Sequence, residues 1–597
     1  MRRRYIRLFL SILIFVLSAC KNGNVAEILT DTPKVSQTPV LTDCPVTTEV
    51  PTSTEAPVIT EVPVTTEAPA TSSPSSTVDL PESYTFDFSQ TECLLAHSCS
   101  YEIDEAGALT VAYDTQYGQL MLALSEAMDM AMYDKVTVRA KSEYGMMSVK
   151  LFDEAVLSDP WTPEVFVRYD CVGDGVVEYT LYPELSCAVW GIGIMGVEAV
   201  EDYSAYTSTV YSVTFHRAED VPFGIPEEYE GVITEDMTLL TTYGTAFDYI
   251  GTAVTVKQLR QPAVLEALKR QYNSITLEND MKAEALFTSR PTFISVEEAK
   301  TRGYRIPENY KEETVPVFVF DDVDDTLEIC GENGLGMRSI PLVWNYQTPT
   351  WFFKEGYSAE GAYVTPEVMD ARLEFYICNV MGHVYSHAYG ELVYAWDVVN
   401  EYLHSGVNDS DWLRVYGDCG ATPEFVKLAY RVADEVLREY GVREQVVLLY
   451  NDYNTFDGSM PARILALVEF INAEGVICDG VGMQAHMDVS FPRDRGVFTE
   501  TVQKFLDAGL AVHVTELDIT IKTPTATSEM SQQEFYVRVF QELLEIRKNG
   551  GDISSITFWG MADNVSWLGD YSPLLFSNRN TPKQAYYEVL RAFGHEN

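Results

Sequence analysis

Two glutamates, Glu401 and Glu516, close apolar runs that read as β-strands, residues 394–399 and 511–515. Carboxyls on two separate strands can share one task. One protonates a leaving oxygen while the other meets an electron-poor carbon, the division that a glycosidic bond requires. At a separation of about 5–5.5 Å the charge of one raises the pKa of the other, so that one stays protonated near neutrality. A single glutamate is ordinarily a surface or ion-paired residue, so the case rests on its company. Other candidate strand ends carry Glu278 and Asn279 with Lys282 just beyond, Trp344 and Asn345, Asn400, Asn451 and Asp452, Gln484 with His486 beyond, Asp518, and Trp559. Amides, carboxylates and indoles gathered on one rim suit a sugar, whose hydroxyls need partners and whose apolar faces need flat rings.

These residues need a scaffold that brings eight strand ends together. From about residue 239 the pattern is strand, loop, long helix, repeated, with candidate strands at 239–243 (or a little later), 274–277, 340–344, 394–399, 445–450, 480–484, 511–515 and 555–559. Eight βα units predict an α/β fold, a (β/α)8 TIM barrel, over residues 235–597, with its active site at the C-terminal ends of the strands. Residues 290–336 are too many for one simple unit and predict an insertion.

Upstream the chain changes character. Arg2, Arg3 and Arg4 precede an apolar run, and Leu17-Ser18-Ala19-Cys20 closes it, so residues 1–20 read as a leader. Its ending resembles a bacterial lipobox, which implies cleavage before Cys20, lipidation of that thiol, and residence on the outer face of a bacterial envelope. Residues 21–80 form a linker with a T-E-[VA]-P repeat, extended and with nothing to bury. Residues 81–220 alternate in short runs broken by turns, which predicts a separate β-sandwich of the jelly-roll kind. Within it Gly191-Ile192-Gly193-Ile194-Met195-Gly196 fits GxGxxG, but a strand-like run follows instead of a helix, so dinucleotide binding is rejected. A net charge of -48 excludes nucleic acid as a partner. Neither metal nor cofactor is called for, and a monomer is expected. Cys93 with Cys99, or Cys171 with Cys187, could pair in an oxidising exterior, or remain free thiols.

Trp396-Asp397-Val398-Val399-Asn400-Glu401 and Thr515-Glu516-Leu517-Asp518-Ile519 resemble the two signature segments of glycoside hydrolase family 10, the endo-β-1,4-xylanases. Leu277-Glu278-Asn279-Asp280-Met281-Lys282, Asn451-Asp452-Tyr453-Asn454, Gly482-Met483-Gln484-Ala485-His486, Thr557-Phe558-Trp559-Gly560 and Pro573-Leu574-Leu575-Phe576 follow the family's order. The resemblance implies a retaining hydrolase of xylan, with Glu401 as general acid/base and Glu516 as nucleophile. It implies that Asn400 bonds the sugar 2-hydroxyl and that His486 bridges Glu516 and Asp518. Glu278, Asn279 and Lys282 would bind sugars on the non-reducing side, although Lys282 could instead pair with Glu278. Gln484 and Trp559 would border the scissile bond, with Trp344 and Trp567 around the sugar. Asn451, Asp452 and Tyr453 have a structural role as their alternative. The sandwich resembles the carbohydrate-binding modules that precede such barrels, a spacer being the alternative.

One departure stands out. Where the family reads R-x-H-x-L-V-W-H-x-Q-T-P, this chain has Ile340 and Asn345 in place of both histidines. Weaker or altered catalysis is expected. A β-1,4-glucanase, separated from a xylanase by crowding at Gln347 and Trp567, and a surface polysaccharide-capture lipoprotein are the rival readings.

Overall fold

The structure is a computed structural model that describes residues 83–594, apart from 130–132, 144–145, 153–165, 172–174, 182–187, 198, 201, 218–223, 289 and 408–409. The leader with Cys20, the linker, and Cys187 of one suggested pair lie outside the described residues. Among the described residues no helix is long and apolar enough to cross a membrane.

Residues Ser83 to Arg217 carry two antiparallel sheets. One pairs Cys99–Ile103, Leu109–Tyr113, Thr207–Arg217, Tyr133–Ser142 and Val177–Leu181, with Ser83–Thr85 added to Thr207–Arg217. The other pairs Thr91–His97, Gln119–Asp129, Ala188–Gly196, Met146–Phe152 and Phe166–Cys171. Alternation at a period of two turns Val136, Val138, Val210 and Phe215 from one sheet and Leu120, Leu122, Ile192 and Ile194 from the other into one shared core. The GxGxxG run is a strand here. A Cβ at Gly191 would fall 2.2 Å from the Phe152 ring, and one at Gly193 would fall 3.2 Å from Lys150, so these glycines admit side chains of the neighbouring strand. Cys93 and Cys99 are free thiols.

Eight parallel strands close the barrel: β1 (Tyr249–Val254), β2 (Ser274–Leu277), β3 (Gly336–Ser339), β4 (Val393–Asn400), β5 (Val447–Asp452), β6 (Gly480–Met483), β7 (Ala511–Thr520) and β8 (Ile553–Phe558). Each pairs with the next, β8 with β1, and Gly480 sits opposite Ala511 where β6 meets β7. The barrel has its own core, distinct from that of the sandwich.

Two expected strands move. Residues 239–243 are a short helix, because the Thr238 side chain accepts from Thr241 N and Thr241 answers at the Thr238 N–H, a reciprocal cap that starts a helical turn. The first barrel strand follows at Tyr249. Strand three ends at Ser339, ahead of the run expected for it. Pro341 has no N–H to give the ladder, and the residues beyond it return to β4 as an isolated parallel bridge of Val343 with Val399, through Leu342 N to Asp397 O, Val343 N to Val398 O and Asn400 N to Val343 O. The expected insertion holds a hairpin, Phe293–Ser295 with Thr314–Pro316, and the helices Val296–Thr301 and Asp321–Asn333.

Candidate active site

Glu401, just past the end of β4, and Glu516, within β7, belong to one chain of hydrogen bonds. Gln484 Nε2 donates to Glu401 Oε1 and to Asn400 Oδ1, at 3.0 Å each. Asn451 Nδ2 donates to the same Asn400 oxygen at 3.1 Å and to Glu516 Oε1 at 2.8 Å. Thr515 in turn fixes the Asn451 carbonyl with a 2.7 Å bond, leaving its amide no other orientation. Thus three amides from β4, β5 and the loop after β6 hold both carboxyls. Glu401 and Glu516 are buried, with 5% and 8% of their surface exposed, so both respond strongly to neighbouring charge.

The two environments differ. Burial first, then the charge of Asp452, pushes Glu401 up to about 7, against the opposing amide of Gln484 and the Trp344 indole. Among the described residues its Oε2 is buried with no hydrogen-bond partner, as suits an oxygen that must hand a proton to something else. Burial would raise Glu516 as well. The bond and charge of His486, the Arg338 guanidinium and the Asn451 amide outweigh burial and hold Glu516 below the ordinary carboxylate range. Side by side stand a carboxyl that keeps its proton near neutrality and one that gives it up.

His486 bridges as expected, with Nε2 at 3.1 Å from Glu516 Oε2 and Nδ1 at 2.9 Å from Asp518 Oδ2. Burial opposes a charge on the ring, but Asp518 and Glu516 prevail and lift it to about 10, so both nitrogens carry protons and donate. Asp518 Oδ2 also accepts from Trp567 Nε1 at 3.2 Å. The Trp567 and Trp559 rings stand edge-to-face with the imidazole, at 5.1 and 6.3 Å between centroids.

A second cluster sits on the β2 and β3 side. Lys282 Nζ donates to Asn279 Oδ1 at 3.1 Å and to Gln347 Oε1 at 2.8 Å, and lies 4.7 Å from the centre of the Trp344 ring. Gln347 Nε2 completes the triangle on Asn279 at 3.1 Å. Burial lowers the Lys282 pKa, while Glu278, Glu516 and Glu401 pull the other way. Charge therefore ties this cluster to both carboxyls. Asn345 donates instead to the backbone carbonyl of Glu401 at 3.2 Å, and Ile340 is a fully buried core residue.

Some contributors escaped the sequence reading. Arg338 and Asp397 form a completely buried ion pair inside the barrel, and Arg338 supplies the cation beneath Glu516. Arg338 lay in plain view in the strand-three motif, but nothing in its spacing says that it points inward. Asn451 was expected at the rim; its grip on Glu516 was not. Among the described residues no cluster of three or more His, Cys, Asp or Glu is arranged to hold a metal ion.

Transferring a proton from one carboxyl while a second, ionised one attacks carbon is the work of a glycoside hydrolase, and the fold and site put the chain in that class. Residues 238–592 match the model described as glycosyl hydrolase family 10, and the chain belongs to that family. Endo-1,4-beta-xylanase A of Butyrivibrio fibrisolvens is 44% identical over 357 residues, 60% of this chain and 84% of that protein. The bifunctional endo-1,4-beta-xylanase XylA of Ruminococcus flavefaciens is 33% identical over 57% of this chain, which spans only 33% of that larger protein. In fold, the chain is similar to a Clostridium thermocellum structure of CBM22-1 and GH10 modules complexed with xylohexaose. The TM-score is 0.51 at 24% identity, covering 84% of this chain and 95% of the other.

Proposed function

We propose that the chain is a retaining endo-β-1,4-xylanase. Glu516 attacks the anomeric carbon while Glu401 gives its proton to the departing glycosidic oxygen, so that a glycosyl-enzyme forms and the shortened chain leaves. Glu401, now a carboxylate, takes a proton from water, whose oxygen displaces Glu516 and restores both groups. The observation that carries this reading is the opposite pull on the two carboxyls within one hydrogen-bond chain. Asn400 would serve the sugar 2-hydroxyl. Asn279, Lys282 and Gln347 with Glu278 would hold the non-reducing side, and Trp344, Trp559 and Trp567 the sugar faces. The relatives' printed activity supports xylan as the substrate.

The test is product analysis from defined xylo-oligosaccharides, with anomeric configuration followed by NMR. Internal cleavage with retention is expected, and inversion would overturn the assignment of Glu516. Release of reducing sugar from carboxymethylcellulose in preference to xylan would favour a glucanase. If Glu516→Ala changed nothing because the parent was inactive, the chain would be a capture protein. The sandwich would bind the same polysaccharide, and the leader with Cys20 would anchor the whole outside the cell. Metabolic labelling with palmitate, lost in Cys20→Ala, tests the anchor.

A further inference from the structure

Asp452, the last residue of β5, is fully buried yet lies outside the proton exchange just described. Its Oδ1 is 2.7 Å from His404 Nδ1 and accepts the Tyr453 N–H at 2.9 Å, while its Oδ2 accepts the Tyr450 hydroxyl at 2.5 Å. The Tyr450 oxygen accepts the Leu403 N–H at 3.0 Å. Two of these links come from the turn immediately after Glu401, and that turn is closed by His404 N donating to Glu401 O at 3.0 Å. From the other side Glu401 N donates to Asn451 O at 3.0 Å, next to Asp452 in the chain. His404 lies flat on Tyr453 with centroids 3.9 Å apart, and 16% of its side chain remains exposed, enough to exchange a proton with solvent.

We propose that His404 and Asp452 act as a positioning dyad whose combined charge sets how firmly Glu401 holds its catalytic proton. This rests on the reading of Glu401 as the acid. An uncompensated Asp452 carboxylate makes ionisation of Glu401 harder, and a protonated His404 cancels part of that field. The imidazole is faced by Asp452 from β5, by Glu401 from the end of β4, and by the Arg463 guanidinium of the helix Met460–Ile471, which holds the turn through a 2.7 Å bond to Leu403 O. Glu401 is faced by Asp452, Glu516, Tyr346 and Lys282. Burial works against a charged His404, but the bond and charge of Asp452 win and raise its pKa. An ordinary structural tie would need only a donor at this position; a tuning pair needs the charge.

The experiment compares kcat/KM against pH for two aryl xylobiosides on the full chain. One carries a poor leaving group that needs the proton, and the other carries dinitrophenolate, which departs without it. On the first substrate His404→Gln is expected to move the alkaline limb to higher pH and Asp452→Asn to lower pH, each on the order of one pH unit. His404→Arg, which keeps the cation, is expected to retain the parent limb. With dinitrophenolate the three variants should follow the parent. Limbs that stay put, move together, or fall equally at all pH with both substrates would overturn the dyad. Should Asp452→Asn fail to fold, the contrast between His404→Gln and His404→Arg decides alone. A parent inactive on both substrates would remove the hydrolase reading and the dyad with it, whereas an active parent with unmoved limbs removes the dyad only.

Discussion

His486 is the side chain on which the nucleophile's ionisation turns. Glu516 must react as a carboxylate, and burial alone would raise its pKa. Because its pKa is depressed, its contribution is present above that pKa and is lost as pH falls through it. Replacing His486 by Gln removes the cation but keeps a donor, so burial reasserts itself and the Glu516 pKa rises. The acid limb of kcat/KM is therefore expected to retreat to higher pH by about 1–2 units, measured on a xylobioside with a poor leaving group; an unmoved limb would contradict this account of Glu516. Asn345 raises the opposite question. Its amide is spent on the Glu401 carbonyl rather than reaching outward. Asn345→His would place a longer donor at that spot, and kcat/KM on xylo-oligosaccharides should gain about tenfold, the worth of one hydrogen bond to a developing charge. If neither rate nor substrate choice changes, Asn345 has no part in catalysis.

At the level of elements, much of the barrel could be read before the structure because its strands announce themselves twice, by β-branched apolar runs and by polar residues at their ends. The run from Val393 to Asn400 is buried throughout, as a barrel strand packed on both faces must be. The reading slipped where local chemistry overrides pattern. Thr241 is β-branched yet closes a helical cap with Thr238, and Pro341 interrupts a ladder that resumes at Val343 opposite Val399. Backbone form was not legible at all. Glu401, Gln347 and Ala485 have positive φ of 57°, 53° and 59°, a conformation uncommon outside glycine that redirects side chains at the rim. His404 was missed because it stands in a turn just past the signature segment, and its partner Asp452 comes from the neighbouring strand β5, a pairing that only the fold reveals. Glycine spacing, by contrast, has a direct structural price at Gly480. A Cβ there would sit 2.2 Å from the carbonyl oxygen of Ala511, so β6 and β7 could not pair as they do. Gly480→Ala should cost about 1–3 kcal/mol and lower the melting temperature by calorimetry; an unchanged melt would show that the seam can shift without penalty.

Over the whole molecule, the physical division is between two cores that each bury their own apolar residues. The catalytic groups all belong to the barrel. The net charge of -48 does not select a neutral chain, but neither does it oppose one, so capture has to come from a binding surface rather than from a long-range field. If the sandwich supplies that surface, it adds a second contact to an already encountered polymer, and its benefit depends on the substrate being long and immobile. Removal of residues 1–220 should then reduce hydrolysis of insoluble xylan by about tenfold or more while rates on a short soluble xylo-oligosaccharide stay as they were. Parallel loss on both substrates would instead mean that the barrel needs the sandwich to stay folded, and equal rates on both would reduce the sandwich to a spacer. The short substrate is the arm that discriminates, because it is too small to be held by two domains at once and so reports the barrel alone.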